Sequence, residues 1–271
     1  MRAVKDEARR RNTIPLVEPG YCDDIVREYD VIGRDEFTHV LAQISGRRVK
    51  SSFARTYSYF FQDLLRLYSP QGDKLVRNEH GDFVASQRSP YDRKCAWLQV
   101  VSYDEVFKRF FDFTIDPKSK VEIVEEFNSA SGKYLIRWGR WLGKTLYVPK
   151  LEAYQSFEGT EIPMQEAFWK MIVDAYETLS RESWIGTRRY NVAVGELRAE
   201  VCVQYSMLPL TFDCLLARLH RRRTHYTELE LVGLPPHRLR ERTETAKLDP
   251  IAVDNTEYFY IILHIQRDKE F

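Results

Sequence analysis

Cysteine is scarce in this chain, and its four cysteines stand far apart. They are Cys22, Cys95, Cys202 and Cys214, and no CxxC pair occurs. A tetrahedral zinc site draws on paired ligands at short spacing, so this pattern argues against structural zinc. Few, scattered thiols are typical of a reducing compartment, and we expect the cytoplasm, or the nucleoid if the protein binds DNA.

Long apolar runs are also lacking. No stretch approaches the roughly 20 apolar residues of a membrane-spanning helix. The first twelve residues, MRAVKDEARRRN, are charged and contain no apolar centre of a secretory signal. The sequence therefore predicts neither a membrane partner nor export.

An excess of one charge is absent from the chain as a whole. Lys and Arg number 41 and Asp and Glu number 40, for a formal net charge of +1. The total charge gives no argument for nucleic-acid binding, so any basic surface must come from local clustering.

The common catalytic motifs are missing. The chain has no Walker loop, GxGxxG, GxSxG or HExxH sequence. A triplet of nuclease type, Asp116-Pro117-Lys118, lies in a proline-containing turn, whereas the metal-binding form of this triplet belongs on a strand. We expect a non-enzymatic protein with no cofactor and no metal, and a nuclease built from distant residues is the alternative.

Hydrophobic residues make up 44% of the 271 residues, enough for two modest cores. In the first half, helical spacing predicts a helix over 35–44, ended by Ser45-Gly46, and a second helix over 49–68. The stretch 73–85 has two short apolar runs around Gly81, and this pattern predicts a β-hairpin.

The rest of the chain predicts more helices and one strand pair. The helices are expected in VFKRFFDF and KVEIVEEF of the middle segment, and over 164–179, 193–205 and 210–222, the last beginning after Pro209. Strands are predicted over 227–232 and 257–266, paired with each other. The segment 149–163 is the best candidate for a domain linker.

Two segments share one order: helix, sharp turn, helix, hairpin. Ala42 and Gly46, four residues apart, add the small residue and turn glycine common in helix-turn-helix pairs. The order resembles the winged helix-turn-helix superfamily, although Ser52 and Met207 replace an expected apolar residue and a turn glycine, and the loop 233–256 is unusually long.

The resemblance implies a helix-rich α+β fold with tandem winged-helix-like modules joined by a helical middle segment. The expected divisions are an N-terminal arm over 1–24, a first module over 25–102, a middle segment over 103–150 and a second module over 164–271. Winged-helix modules bind either DNA or protein, so the fold alone does not settle function.

The first candidate site lies at the start of the second predicted helix and in the predicted wing. Short hydroxyls beside cations suit both phosphates and base edges, so we expect this module to read DNA sequence. Its ordinary alternative is a solvated first turn. The candidate residues are Arg47, Arg48, Lys50, Ser51, Ser52, Arg55, Arg77 and His80.

The second candidate site is rich in arginine, whose planar fork binds phosphate in bidentate fashion. It follows a helix whose first half, LTFDCLL, is apolar and acidic, so we expect phosphate contact there without base reading. The alternatives are compensation of the helix dipole or an acidic protein partner. The candidate residues are Arg218, Arg221, Arg222, Arg223, Arg238, Arg240 and Arg242.

The stretch WGRW, with Arg137 and Arg140, has two interpretations. Its tryptophans suit stacking on unpaired bases, but tryptophan flanked by surface arginine is more often a core residue. We favour the core.

These patterns predict a non-catalytic protein that binds double-stranded DNA, either a transcription regulator or the DNA-contacting subunit of a multi-subunit complex. The alternative is an adaptor whose winged modules dock a protein partner or a second copy of the chain.

Overall fold

The computed structural model describes residues 18–46, 54–159, 161–182, 191–222, 229–233, 250–254 and 256–264. The chain divides into two compact units. Unit 1 comprises residues 1–145 and 154–156, and unit 2 comprises residues 146–153 and 157–271. Helices dominate, and the sheets are small and antiparallel, which confirms the helix-rich α+β class. Among the described residues, no helix is long and apolar enough to cross a membrane.

From residue 18 on, the described part of unit 1 first forms three helices and three strands. In chain order these are α1 (Pro19–Glu28), β1 (Val31–Gly33), α2 (Phe37–Ser45), α3 (Ala54–Tyr59), β2 (Tyr68–Gln71) and β3 (Lys74–Arg77). The last strand lies in the middle of the sheet, in the order β1-β3-β2. Both pairings are antiparallel, with Val31 opposite Val76 and Tyr68 opposite Arg77.

Helix α2 forms where the apolar spacing predicts it. Phe37, Val40 and Leu41 are buried on one face. Gly46 ends the helix in the left-handed region, with φ of 62°, a conformation that glycine adopts at little cost. The predicted break after Ser45 is thereby confirmed.

The second predicted helix is shorter than expected at its C-terminal end. Helix α3 continues as a π-helical turn over Phe60–Leu64, in which the Leu65 amide donates to the Phe60 carbonyl at 2.8 Å. Tyr68 already belongs to strand β2, so the predicted end at residue 68 is wrong. The apolar face of the helix runs on into the buried Leu65, Leu67 and Tyr68, and this continuity hides the change from helix to strand.

The predicted hairpin over 73–85 is wrong. The hairpin lies earlier, between β2 and β3, with Gly72 at φ of 63° in its turn. Residues Glu79–Ala85 form helix α4, because the Asn78 side chain caps it by accepting from the amides of His80 and Gly81. Asn78 and Gly81 fit a turn and a helix start equally well. Here Asn78 caps a helix.

Four helices of the described part of unit 1 follow α4. They are α5 (Pro90–Val101), α6 (Glu105–Phe113), α7 (Lys120–Phe127) and α8 (Ser129–Trp141). The predictions in VFKRFFDF and KVEIVEEF are confirmed by α6 and α7. Strands β4 (Thr145–Val148) and β5 (Ala153–Ser156) flank a short 3₁₀ turn at Pro149–Leu151, where the chain passes between the units.

One hydrophobic core serves the whole of unit 1. It runs from Cys22 to Leu142 and so includes residues on both sides of position 102. Its centre is aromatic, with the Trp138 ring centroid 5.5 Å from that of Trp97 and 5.6 Å from that of Phe107. Burial of such large rings is the main stabilising contribution to this unit.

The described residues of unit 2 form three long helices and five strands. The helices are α9 (Gln165–Glu182), α10 (Val194–Tyr205) and α11 (Pro209–Arg221). The strands are β6 (Val192–Ala193), β7 (Leu229–Val232), β8 (Ile251–Val253), β9 (Thr256–Tyr258) and β10 (Tyr260–Leu263). Pro209 stands in the first turn of α11, as predicted, and Ser206 ends α10 at φ of 51°.

The main sheet of unit 2 has the order β6-β10-β7. Tyr260 lies opposite Val232 and Leu263 opposite Leu229, which confirms the predicted pairing of the last strand with the strand after α11. The order helix, strand, helix, helix, strand, strand, with the last strand in the centre of the sheet, therefore occurs in both units. In unit 2, the hairpin β8–β9 is inserted before that last strand.

Candidate nucleic-acid interface

Most of the first candidate site lies outside the described residues. These are Arg47, Arg48, Lys50, Ser51 and Ser52. Arg55 follows on the first turn of α3, the second helix of the helix pair. The placement of this cluster at the start of the second helix stays a prediction, as do its contacts.

Arg77 serves the fold of unit 1. Its side chain is only 14% exposed and donates to the Asp82 carboxylate at 2.7 Å, to the Asp30 carboxylate at 2.7 Å and to the Val26 carbonyl at 2.6 Å. These bonds join β3 to α1 and α4. His80 is exposed on the first turn of α4. Contrary to the prediction, neither Arg77 nor His80 lies in a hairpin turn.

The true hairpin turn of unit 1 presents Lys74 and the nearby Arg34, which the sequence interpretation missed. The Arg34 amide donates to the Asp73 carbonyl at 3.0 Å, so the end of β1 lies against the turn. Both cations are exposed, but so are Asp35 and Asp73. The charge at this turn is mixed. The signal that could have located this turn is the pair Gly72-Asp73 between two short strands.

Three of the predicted arginines gather at the last turn of α11. Arg218, Arg221 and Arg222 are spaced i, i+3 and i+4 and are all exposed. This spacing places side chains on neighbouring positions of a helix surface. We call these three residues the arginine cluster. Arg223, Arg238, Arg240 and Arg242 lie outside the described residues.

Two members of the arginine cluster have partners within unit 2. Arg222 donates to the Gln165 side chain of α9 at 3.0 Å. Arg221 donates to both carboxylate oxygens of Asp254, the residue in the turn between β8 and β9. This hydrogen bond holds the pKa of the Asp254 carboxyl below its ordinary value. Sequence reasoning missed Asp254, because it lies in a stretch that we treated as one polar loop.

The first half of α11 has almost no exposed side chain. Pro209, Leu210, Thr211 and Phe212 are all buried. Helix-turn-helix proteins present base-contacting side chains from this half of the second helix. In this conformation, the half therefore has no side chain to place in a DNA groove.

A buried ion pair joins helices α10 and α11 of unit 2. The Arg198 Nε on α10 donates to the Asp213 Oδ1 on α11 at 2.7 Å, and Arg198 is almost fully buried. The neighbouring Cys202 is buried as well, and burial raises the pKa of its thiol. A buried protonated thiol is a poor nucleophile, so Cys202 is a packing residue.

The tryptophans of WGRW lie in or against the core of unit 1. Trp138 is fully buried within the aromatic centre of unit 1, and Trp141 packs against that centre with its ring centroid 5.7 Å from that of Trp138. Arg137 lies over the Tyr134 ring and pairs with Glu18. The favoured interpretation, core tryptophan beside surface arginine, is confirmed for Trp138.

The lysine of the triplet Asp116-Pro117-Lys118 has contacts within unit 1. Lys118 lies over the Phe113 ring at 5.3 Å, and its backbone pairs with Tyr154. Glu122 completes a capping box with Ser119 at the start of α7. Among the described residues, no group of three metal-ligating side chains comes together.

Compared with known proteins, the chain matches no family model, no curated protein sequence and no solved structure.

Proposed function

We propose that this chain is a non-catalytic protein that binds double-stranded DNA through two winged-helix modules, as a regulator or as the DNA-contacting subunit of a larger complex. One observation carries the proposal. In both units a strand, a helix pair and two strands follow a first helix, and the last strand occupies the centre of the sheet. A helix pair followed by a β-hairpin is the arrangement on which the winged-helix resemblance rests.

The two modules have different chemistry at the helix that enters DNA in such folds. In unit 1, the cationic and hydroxyl-bearing run 47–55 leads into α3, where side chains reach base edges and phosphates. In unit 2, the first half of α11 is buried and the arginine cluster stands at its other end. We therefore assign base reading to the first module and sequence-independent phosphate contact to the second.

A second candidate function is a protein-docking adaptor, and the burial of Pro209, Leu210, Thr211 and Phe212 favours it. A module whose second helix has a covered first half is a poor base reader, whatever the first module does. An adaptor would form a stable complex of fixed stoichiometry with a protein partner and would leave duplex DNA unbound.

The decisive experiment is a gel-shift titration of the full chain with a random duplex and a single strand of the same length. We expect duplex binding at low salt, with a log Kd that rises linearly with log salt. Each phosphate neutralised contributes about 0.9 to the slope. A chain that leaves the duplex unbound even at low salt has a different function.

A further inference from the structure

The hairpin β8–β9 places an acid against the arginine cluster. The Arg221 Nε lies 3.1 and 3.2 Å from the two Asp254 carboxylate oxygens, and its Nη2 lies 2.7 Å from Oδ1. Two nitrogens of one guanidinium thus meet two oxygens of one anion. Arginine uses the same fork to bind a phosphate group.

This ion pair is open to solvent. The side chains of Arg221 and Asp254 are 55% and 67% exposed. Exposed ion pairs contribute little to stability, since water and salt screen them. An incoming anion with the same geometry can therefore replace the Asp254 carboxylate without a large loss in the fold.

The hairpin is held in place by packing and does not depend on the ion pair. Ile251 and Val253 are buried in the core of unit 2. On the opposite strand, the Tyr258 ring packs against the His220 ring of α11 in a tilted arrangement, with the ring centroids 5.1 Å apart. The Arg198 guanidinium also donates to the Pro250 carbonyl at 3.4 Å. Asp254 stays beside α11 even when Arg221 turns away from it.

We propose that the arginine cluster is a phosphodiester-binding site and that the Asp254 carboxylate occupies its Arg221 position in the absence of DNA. Binding exchanges one anion for another: Arg221 leaves Asp254 and takes a backbone phosphate, beside the exposed Arg218. Asp254 thereby weakens phosphate contact at this module, whatever the DNA sequence. The inference rests on the proposed DNA-binding function and concerns its regulation at this site.

The test compares Asp254→Asn with the wild-type full chain on a random duplex. Asparagine tolerates the positive φ of 49° at this position, so the turn is retained while the charge is lost. Asp254→Gly also fits this φ and removes the acceptor altogether. Both variants should bind about threefold to fivefold more tightly, as expected for release of one exposed ion pair. The salt slope should stay unchanged, because Arg221 contacts one backbone phosphate in the complex of either chain.

Glu126→Gln is the matched control. It changes the net charge by the same amount and removes the partner of another exposed arginine, Arg109, but in unit 1. If Asp254→Asn and Glu126→Gln change duplex affinity equally, general charge explains the gain and the inference is overturned.

A double-mutant cycle tests the role of Arg221 itself. Arg221→Ala should cost more affinity in the Asp254→Asn background than in the wild-type chain, because only the former frees Arg221 from a competing carboxylate. Equal losses overturn the exchange, while wild-type duplex binding leaves the proposed function standing. If the wild-type chain binds no duplex at low salt, the proposed function fails, and the exchange fails with it.

Discussion

The Arg198 guanidinium and the Asp213 carboxylate meet at 2.7 Å between α10 and α11, and Arg198 is 5% exposed. A charge so far removed from water is tolerated because it is paired. The same arginine reaches the carbonyl of Pro250, so it also ties the helix pair to the start of hairpin β8–β9.

Asp213→Ala should destabilise the protein by about 2 kcal/mol, because it leaves a buried arginine without its carboxylate. Denaturant titration followed by circular dichroism measures the change. The control is Glu200→Ala in the same unit, which removes a carboxylate whose partner, Lys150, is 48% exposed. It should cost about 0.5 kcal/mol or less. Equal losses of unfolding free energy from the two substitutions would show that the buried Arg198–Asp213 ion pair stabilises the protein no more than the Lys150–Glu200 pair does.

Gly81→Ala should be destabilising by about 1–3 kcal/mol. Helix α4 packs so closely on the chain before β2 that an added Cβ would lie 2.5 Å from the Leu67 carbonyl oxygen. Gly20 of α1 is the matched site, since nothing lies within 4 Å of its added Cβ. Alanine there should be neutral or stabilising by about 0.5 kcal/mol. Thermal unfolding of both variants measures the change in stability. If Gly81→Ala leaves the stability unchanged, the close packing at Gly81 is contradicted.

Tyr57 should make stability depend on alkaline pH. Burial raises the pKa of this phenol from 10.0 to about 12. The folded form therefore keeps its proton where the unfolded form releases it. The stabilising contribution is complete below pH 10 and is lost as pH rises toward 12. Unfolding titrations between these values should give a smaller slope for Tyr57→Phe than for wild type, and Tyr103→Phe, at an exposed site, should leave the slope unchanged.

The two arginine sites should differ in their effect on DNA specificity. The double change Arg221→Ala with Arg222→Ala should weaken binding to all duplexes alike, because phosphates carry no sequence. Arg47→Ala or Arg55→Ala should instead alter which duplexes are preferred, with discrimination reduced by about 1–3 kcal/mol per base contact. Selection from a random duplex library measures both. If substitutions at both sites weaken binding to all duplexes equally, the assignment of base reading to the first module and phosphate contact to the second is wrong.

The elements that the sequence predicted well are those with strong local signals. Helices α2, α6, α7, α9, α10 and α11 follow from apolar residues repeating on one face. Gly46 and Pro209 mark helix ends through the backbone conformations that they favour or permit. These signals act within a few residues, so neighbours in sequence are sufficient to specify them.

The error at 73–85 arose where two local signals compete. Asn78 and Gly81 suit a turn, but Asn78 also caps a helix, and Gly81 is required by the nearness of Leu67. Only packing against the rest of unit 1 favours the helix. Arg77 was predicted to contact DNA because its carboxylate partner Asp30 is far from it in sequence. The ion pair between them could not be recognised from neighbouring residues.

The sequence by itself determined the helix-rich class, the three helices of the second half and the pairing of the last strand with the strand after α11, but not β6 or the hairpin β8–β9. Tertiary structure decided which charged groups remain available to a ligand. Asp254 lies 33 residues after Arg221, and their contact depends on Ile251 and Val253 entering the core of unit 2. Local periodicity specifies which face of an element is apolar, whereas long-range packing brings a particular carboxylate to a particular arginine.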